Sequence, residues 1–364
     1  MEPHVICMVS TYTYPSFARG LETHVRKLSE KLADSGNHVV IVSSTTTDYY
    51  PNISEFTVNV YGLQPFKEVI FSIKSIYKIL NIYKVQNIDI IHFHGPPLFK
   101  FIGEIIARLT GKKVFYTMHG SFNTSIRIYL LMKLLNGRVN IITVSNEIRT
   151  KLNHMMLTNS LATIPTGITV SNFNDSRPSP QGINTLIFVG CLRKDKGAHI
   201  LIRSFSEVLQ RYESTRLWIV GDGPDMKSLK QMSADLGIKD KIRFFGQVDL
   251  DDIPNLLSQA TIFIFPSIAT SDSIEGTPTS ILEAMASGLP IIASNIGGIP
   301  DVIANDVNGQ LVEQNNSKEL SEAIFNFIEN PQKCYAMGRN NIEKAKEYDW
   351  SKVVEKILKY YHLN

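Results

Sequence analysis

One pattern recurs along the chain and constrains its fold more than any other: a short apolar run, a loop, then an amphipathic helix. The first series opens with Val5–Ser10, passes through a loop to Gly20, and enters helical text from Leu21 to Ser35. There Val25, Leu28 and Leu32 share one face and Gly36 closes the helix. Strand text follows at His38–Ser43, Ile88–Phe93, Lys113–Thr117 and Ile141–Val144. Near-continuous apolar strands alternating with helices imply a parallel sheet covered on both faces.

The stretch 171–184, SNFNDSRPSPQGIN, interrupts this series. It is polar and lacks a hydrophobic period, so it reads as a linker. A second series then begins: strand Thr185–Gly190, a basic loop, helix His199 to Tyr212, strand Arg216–Val220, the turn Gly221-Asp222-Gly223-Pro224, and a helix from Asp225 to Leu236. Strands at Ile242–Phe245, Ile262–Phe265 and Pro290–Ala293 continue it, and helical text around Val353–Tyr361 ends the chain. The expected architecture is α/β: two Rossmann-like, doubly wound parallel-sheet domains, residues 1–170 and 185–349, facing a central cleft. The last helix, about 350–364, is expected to pack back on the first domain. A length of 364 residues suits two such cores better than one. Ligands of doubly wound sheets bind beyond the carboxyl ends of the strands.

Charge and cysteine content narrow the function. The three cysteines, Cys7, Cys191 and Cys334, are scattered and carry neither disulfide nor zinc-site spacing. The N-terminus lacks a basic start and a longer apolar stretch, so no secretory signal is read there. No apolar run reaches the roughly 18 residues of a membrane span. A cytoplasmic location is expected. Residues 1–170 hold 17 basic against 10 acidic side chains, whereas the remainder holds 20 against 24. The basic half suits an anionic partner such as a lipid phosphate or a membrane surface, as well as an ordinary solvated surface. Nucleic acid is not expected, because the cations form no dense run interleaved with aromatics. Two basic, apolar segments, Phe66 to Lys84 and Ile126 to Arg138, can lie on an anionic lipid face as a peripheral contact or simply cover a sheet.

The densest chemistry lies in Glu275-Gly-Thr-Pro-Thr-Ser-Ile-Leu-Glu283. Thr277 reads as an N-cap, Pro278 as the first helical residue and Gly288 as the helix stop. The free N–H groups and positive dipole end of such a helix attract phosphate. Carboxylates beside it can accept hydrogen bonds from sugar hydroxyls. Spacing alone equally suits surface glutamates on a capped helix.

At these residues the chain resembles the family-four retaining glycosyltransferases of GT-B fold. SIEGTPTSILEAMASGLPII matches the family's paired-glutamate motif. ARGLETHVRKLSEKLADSGNHV, IIHFHG, VFYTMHGS, IITVSNEIRTKL, ATIPTGI, FVGCLRKDKG, VGDGP, FFGQVDLDDIPNLLSQA and GGIPDVIANDVNGQLV follow in family order. The resemblance implies a hexosyltransferase that takes a nucleotide diphosphate sugar, UDP-linked before GDP-linked, and passes the sugar with retention to a saccharide or lipid-linked hydroxyl. No cofactor or metal is implied, and cell-envelope polysaccharide or glycolipid synthesis is the expected setting, with a peripheral place at the inner face of the membrane. The donor is expected on the C-terminal domain and the acceptor on the N-terminal one.

Residue by residue, the resemblance places Glu283 on the donor ribose, and Glu275 and His119 on the transferred sugar. It places Gly276, Thr277, Pro278 and Thr279 around sugar and phosphate, Gln247 and Val248 near the base, and Gly298 at the pocket wall. Lys196 matches the family's lysine before glycine and would face the departing diphosphate, where a fixed cation lowers the barrier. The family's arginine after the strand glycine is Cys191 here, and Arg193 is a neighbour able to supply that charge. Gly20 sits where the family commonly has two glycines near phosphate; Arg19 replaces the other. Glu22 and His24 read as helix-face residues. His92, His94 and His119 have the look of a zinc triad, but structural roles suit His92 and His94 better. Asp249-Leu-Asp251 reads as capping, not as a metal site. Two other readings fit the same text: a nucleotide-sugar epimerase or hydrolase of this fold, and a nucleotide-sugar-binding protein without turnover.

Overall fold

The computed structural model describes residues 3–12, 20–45, 48–60, 66–120, 137–154, 160–173, 185–270 and 275–363. The chain divides into two compact units, Met1–Gly167 with Trp350–Asn364, and Ile168–Asp349. Each is an α/β unit built on one parallel sheet, so the fold class is the Rossmann-like pair expected.

In the first unit the strands are β1 (Val5–Ser10), β2 (His38–Ser43), β3 (Ile53–Thr57), β4 (Ile90–His94), β5 (Lys113–Met118), β6 (Val139–Thr143) and β7 (Leu161–Thr163). They lie in the order β3-β2-β1-β4-β5-β6-β7, every pair parallel. Successive side chains of a strand point to opposite faces, and β1 shows both being buried. Cys7 and Val9 join a cluster with Phe71, Ile79, Phe99 and Ile106, from the helices Phe66–Val85 and Leu98–Thr110. Ile6 and Met8 join Leu28 and Leu32 of the helix Gly20–Asp34, together with Trp350, Val353, Ile357 and Tyr361 of the helix Trp350–Leu363. Each such buried side chain stabilises the unit by about 1.5–3 kcal/mol relative to exposure. The last helix therefore supplies part of the first unit's core. At its start the indole of Trp350 lies so close to Gly167 that a Cβ there would stand 2.5 Å from a ring carbon.

In the second unit the strands are β8 (Thr185–Val189), β9 (Arg216–Val220), β10 (Ile242–Gly246), β11 (Ile262–Phe265), β12 (Ile291–Ser294) and β13 (Gly309–Val312). Their order is β10-β9-β8-β11-β12-β13, again wholly parallel. One core runs through it, from Ile187 and Phe188 to Leu201, Phe263, Leu282 and Ile292. The unit begins ahead of the polar stretch expected as a linker. Ile168 N donates to Tyr348 O at 2.9 Å and Val170 N to Asp349 Oδ2 at 3.1 Å, tying residues 168–170 to it. Of that stretch, 174–184 lie outside the described residues, as do Arg19 and most of the segment 126–138.

Three strands escape the sequence pattern: β3, β7 and β13. All are edge strands of five residues or fewer, each with one ladder partner, so their text (ISEFT, LAT, GQLV) carries less apolar signal.

Candidate active site

A doubly wound sheet opens a crevice where strand connections reverse direction. In the second unit that switch point lies between β8 and β11. The loop after β8 carries Lys196, and the loop after β11 carries Ser267 and Glu275. Lys196 Nζ donates to Glu275 Oε1 across this point. Ser267 Oγ lies 2.6 Å from the same carboxylate oxygen and 2.9 Å from Asp195 O. Ile268 N donates to Asp195 O at 2.7 Å, lacing the two loops together. Gly197 makes this approach sterically feasible: its φ is +72°, and a Cβ would stand 1.8 Å from Pro266 O. Lys196 Nζ also lies 5.7 Å from the centre of the Phe265 ring. Sequence reading missed Ser267. It stands two residues beyond a core strand, a position that carries no local mark of its own.

The loop after β12 joins the same end of the sheet, with Gly298 N donating to Glu275 O at 3.1 Å. Lys196, Glu275 and Gly298 are thus brought together. Thr277 is not the cap expected. Pro278 occupies that position, extended at φ −66°, ψ 121°, and the helix runs Thr279–Ala286. Its extended ψ, with φ fixed by the ring, puts Pro278 outside the helix and moves the start one residue on. Gly276, Thr277 and Pro278 are buried and Thr279 half-buried. Glu283 lies inside the helix, and burial pushes its carboxyl up to about 7.

Arg193 does not stand free as a cation. Its guanidinium grips Asp195 with Nε–Oδ1 at 2.9 Å and Nη2–Oδ2 at 2.5 Å. Both cations expected to meet a diphosphate therefore have carboxylate partners in this state. Cys191 is exposed beside them. Gln247 is exposed and Val248 half-buried just past β10, at the sheet's edge. Asp249 and Asp252 hold N-cap positions without side-chain cap bonds, so the expected capping is positional only. The Gly221–Pro224 turn is a close backbone crossing: a Cβ on Gly221 would meet Gly190 O at 2.0 Å, and one on Gly223 would meet Leu192 O at 2.4 Å.

The first unit has its own switch point, between β1 and β4. Ser10 pairs with His94 and His94 with Thr117, so these strand ends are flush and His119 stands two residues beyond. His94 Nδ1 lies 3.0 Å from His119 Nε2. His24 enters from the helix after β1, its ring 4.6 Å from His119 and 5.2 Å from Trp350. Its Nδ1 lies 2.6 Å from Thr166 Oγ1. Thus Glu22 and His24, expected on a helix face, are buried, at 6% and 4% exposure. His92 belongs elsewhere: Nδ1 meets Tyr361 Oη at 2.5 Å and Nε2 meets Thr117 Oγ1 at 2.7 Å. Burial holds His92 and His119 down to about 3, with His119 adding to the effect on His92. Burial and the neighbouring imidazoles hold His24 and His94 well below 6.5. All four rings are therefore neutral near pH 7. Gly20 opens its helix at an exposed position, and among the described residues nothing lies within 4 Å of where a Cβ would stand.

Comparison with known proteins agrees with this fold. The family described as "Glycosyl transferases group 1" matches residues 171–344, and that described as "Glycosyltransferase Family 4" matches residues 18–172. The chain is 27% identical to the phosphatidylinositol N-acetylglucosaminyltransferase gpi3 subunit of Schizosaccharomyces pombe, over 97% of this chain and 79% of that protein. Sucrose-phosphate synthase from Thermosynechococcus elongatus superposes with a TM-score of 0.86 at 19% identity, covering 99% of this chain and 98% of that one. Anabaena HepE in complex with UDP-glucose superposes at 0.78 and 20% identity, covering 99% and 100%. With two Rossmann-like parallel sheets and both family matches spanning 18–344 between them, the chain belongs to the group 1, family-four glycosyltransferases of GT-B fold.

Proposed function

We propose that this glycosyltransferase moves a sugar from a UDP-linked donor to a hydroxyl of a saccharide or lipid-linked acceptor, retaining the configuration at the anomeric carbon. The observation that carries this reading is the Lys196–Glu275–Ser267 cluster at the switch point, four residues ahead of the helix Thr279–Ala286. A diphosphate entering there competes with Glu275 for Lys196 and meets the free N–H groups of the helix start. Glu275, released, accepts from hydroxyls of the transferred sugar. As the phosphate leaves, its growing charge is met by a cation already in place, which needs no solvent reorganisation. Glu283 accepts from the ribose hydroxyls, Gln247 and Val248 border the base, and Gly276–Thr279 and Gly298 shape the pocket.

His119 is neutral, so it contacts the sugar as a hydrogen-bonding group and not as a cation. The acceptor binds the first unit. Its hydroxyl attacks the face that the phosphate leaves, and the departing phosphate takes its proton. No metal or cofactor takes part in this transfer. No helix among the described residues is long and apolar enough to cross a membrane. The helix Phe66–Val85 exposes Val69, Ile73 and Tyr77 on the same element as Lys74, Lys78 and Lys84, and a peripheral contact with an anionic inner leaflet fits that face. Envelope polysaccharide or glycolipid synthesis is the matching setting.

The test is turnover of UDP-glucose and UDP-N-acetylglucosamine, each with and without a lipid extract or soluble saccharides. The N-acetylglucosaminyl group is tried because the fission-yeast relative's name carries it. A transferase consumes donor only with acceptor present. Consumption without acceptor indicates a hydrolase, and interconversion of donors an epimerase. A thermal-shift screen of UDP- and GDP-sugars identifies the donor, since ligand at 100 times its dissociation constant adds about 2.7 kcal/mol.

A further inference from the structure

The histidines of the first unit form a cluster that the transfer reaction does not use in full. Among the described residues, His24, His94 and His119 each present one ring nitrogen, and these three atoms lie within 4.8 Å of one another. Two further observations point to a ligand. Among the described residues, the Nε2 atoms of His24 and His94 are buried and have no hydrogen-bond partner, and the residues are 4% and 0% exposed. Such unpaired buried polar atoms are costly and uncommon in folded proteins.

We infer that His24, His94 and His119 bind one divalent transition-metal ion, with Zn2+ the first choice. Ligating nitrogens sit about 2.0–2.1 Å from zinc, which places tetrahedral ligand pairs about 3.4 Å apart. The observed spread therefore closes with a shift of roughly 1 Å or a little more, within reach of side-chain rotation. Three neutral imidazoles suit zinc, copper or nickel and discriminate against magnesium and calcium, which take oxygen ligands. The hydrogen bond from the far side of His24 is of the kind that prepares a metal ligand. In the tautomer that donates its Nδ1 hydrogen to Thr166 Oγ1, the lone pair lies on Nε2, the atom without a partner among the described residues. His92 is excluded because Tyr361 and Thr117 occupy both its nitrogens. The described residues supply three ligands, which leaves the fourth position to water.

A metal bound here withdraws His119 from the donor sugar, so the ion acts as an inhibitor of transfer. This consequence rests on the role proposed above for His119. The binding site itself does not.

The experiment takes the full chain without a histidine tag, strips it with a chelator, and titrates it with ZnCl2 by calorimetry. Co2+ absorption serves as an independent report of tetrahedral nitrogen ligation. Wild type is expected to take up one tight equivalent. His24→Ala should weaken it by about 100-fold or more, and Thr166→Val, which keeps all three ligands, by about 10–100-fold. Equal zinc affinity in wild type and both variants overturns the site. If His24→Ala fails to fold by circular dichroism, Thr166→Val decides alone. In parallel, Zn2+ should inhibit wild-type transfer over the same concentrations at which it binds, and His24→Ala should resist. Tight binding without inhibition removes His119 from the donor sugar and overturns the inhibitory role. Absence of the tight equivalent overturns the metal site and leaves the transferase reading standing.

Discussion

The two sheets share one core strand order, and each gathers its polar chemistry at the same place, where the first strand meets the fourth. What gathers there differs. The second unit holds charges in pairs there, Lys196 with Glu275 and Arg193 with Asp195, and inside the helix Thr279–Ala286 it carries Glu283, whose carboxyl burial drives toward neutrality. The first unit holds three imidazoles, of His24, His94 and His119, kept neutral by burial. Topology therefore fixes the location of a site, and residue type fixes its chemistry. The difference also sets opposite responses to pH. A histidine whose folded pKa lies below its unfolded value contributes stability at neutral pH that is lost as pH falls from about 6.5. Glu283, with its folded pKa raised from 4.5 to about 7, contributes stability in acid that is lost as pH rises through that window.

The largest expected effect that would sharpen this contrast comes from Gly197→Ala. Its Cβ would stand 1.8 Å from a backbone oxygen, at a φ of +72°, and the clash should cost more than about 4 kcal/mol. Amide exchange should accelerate in β8–β13 and stay unchanged in β1–β7; acceleration in both would show that the units do not answer separately. Next, Lys196→Ala should lower kcat by about 10²–10³-fold, the usual loss for one preorganised electrostatic group. A variant retaining kcat within threefold would remove Lys196 from the leaving-group role.

The pH contrast is tested by Glu283→Gln. A carboxyl displaced from 4.5 to about 7 corresponds to about 3 kcal/mol, so wild type should lose roughly that much relative to the variant between pH 4.5 and pH 8. Denaturant melts at both pH values read this difference, and the variant should also lose donor binding in a thermal shift. Parallel curves for the two proteins would show that Glu283 is ionised throughout. The smallest effect belongs to Tyr361→Phe, which strips His92 Nδ1 of its buried partner at a cost of about 1 kcal/mol or somewhat more. That loss should appear as faster exchange in β4 and β5, with donor affinity unchanged. A change in donor affinity would couple the first unit's core to the donor site.

Legibility in the sequence followed how local each feature is. Val5–Ser10, His38–Ser43, Arg216–Val220 and Ile262–Phe265 match strands residue for residue, because a fully buried parallel strand leaves an uninterrupted apolar run. The short edge strands did not register, and the cap at Thr277 shifted by one residue because Pro278 adopts an extended geometry. Within the candidate site, Lys196, Glu275 and Glu283 were readable from motif text. Ser267 and His24 were not. A serine after a strand and a histidine on a helix have no local mark distinguishing them from ordinary surface residues.

Periodicity and short motifs alone determined two parallel-sheet units, their chemical families of residues and the loops that bear them, since helix and strand patterns depend on neighbours a few positions apart. Only the tertiary structure decided which of those residues meet. Lys196 and Glu275 are 79 positions apart, and His24 and Thr166 are 142 apart; no local pattern encodes such a pairing. Crossover connections bring those strand ends side by side, and burial there then sets which groups are charged.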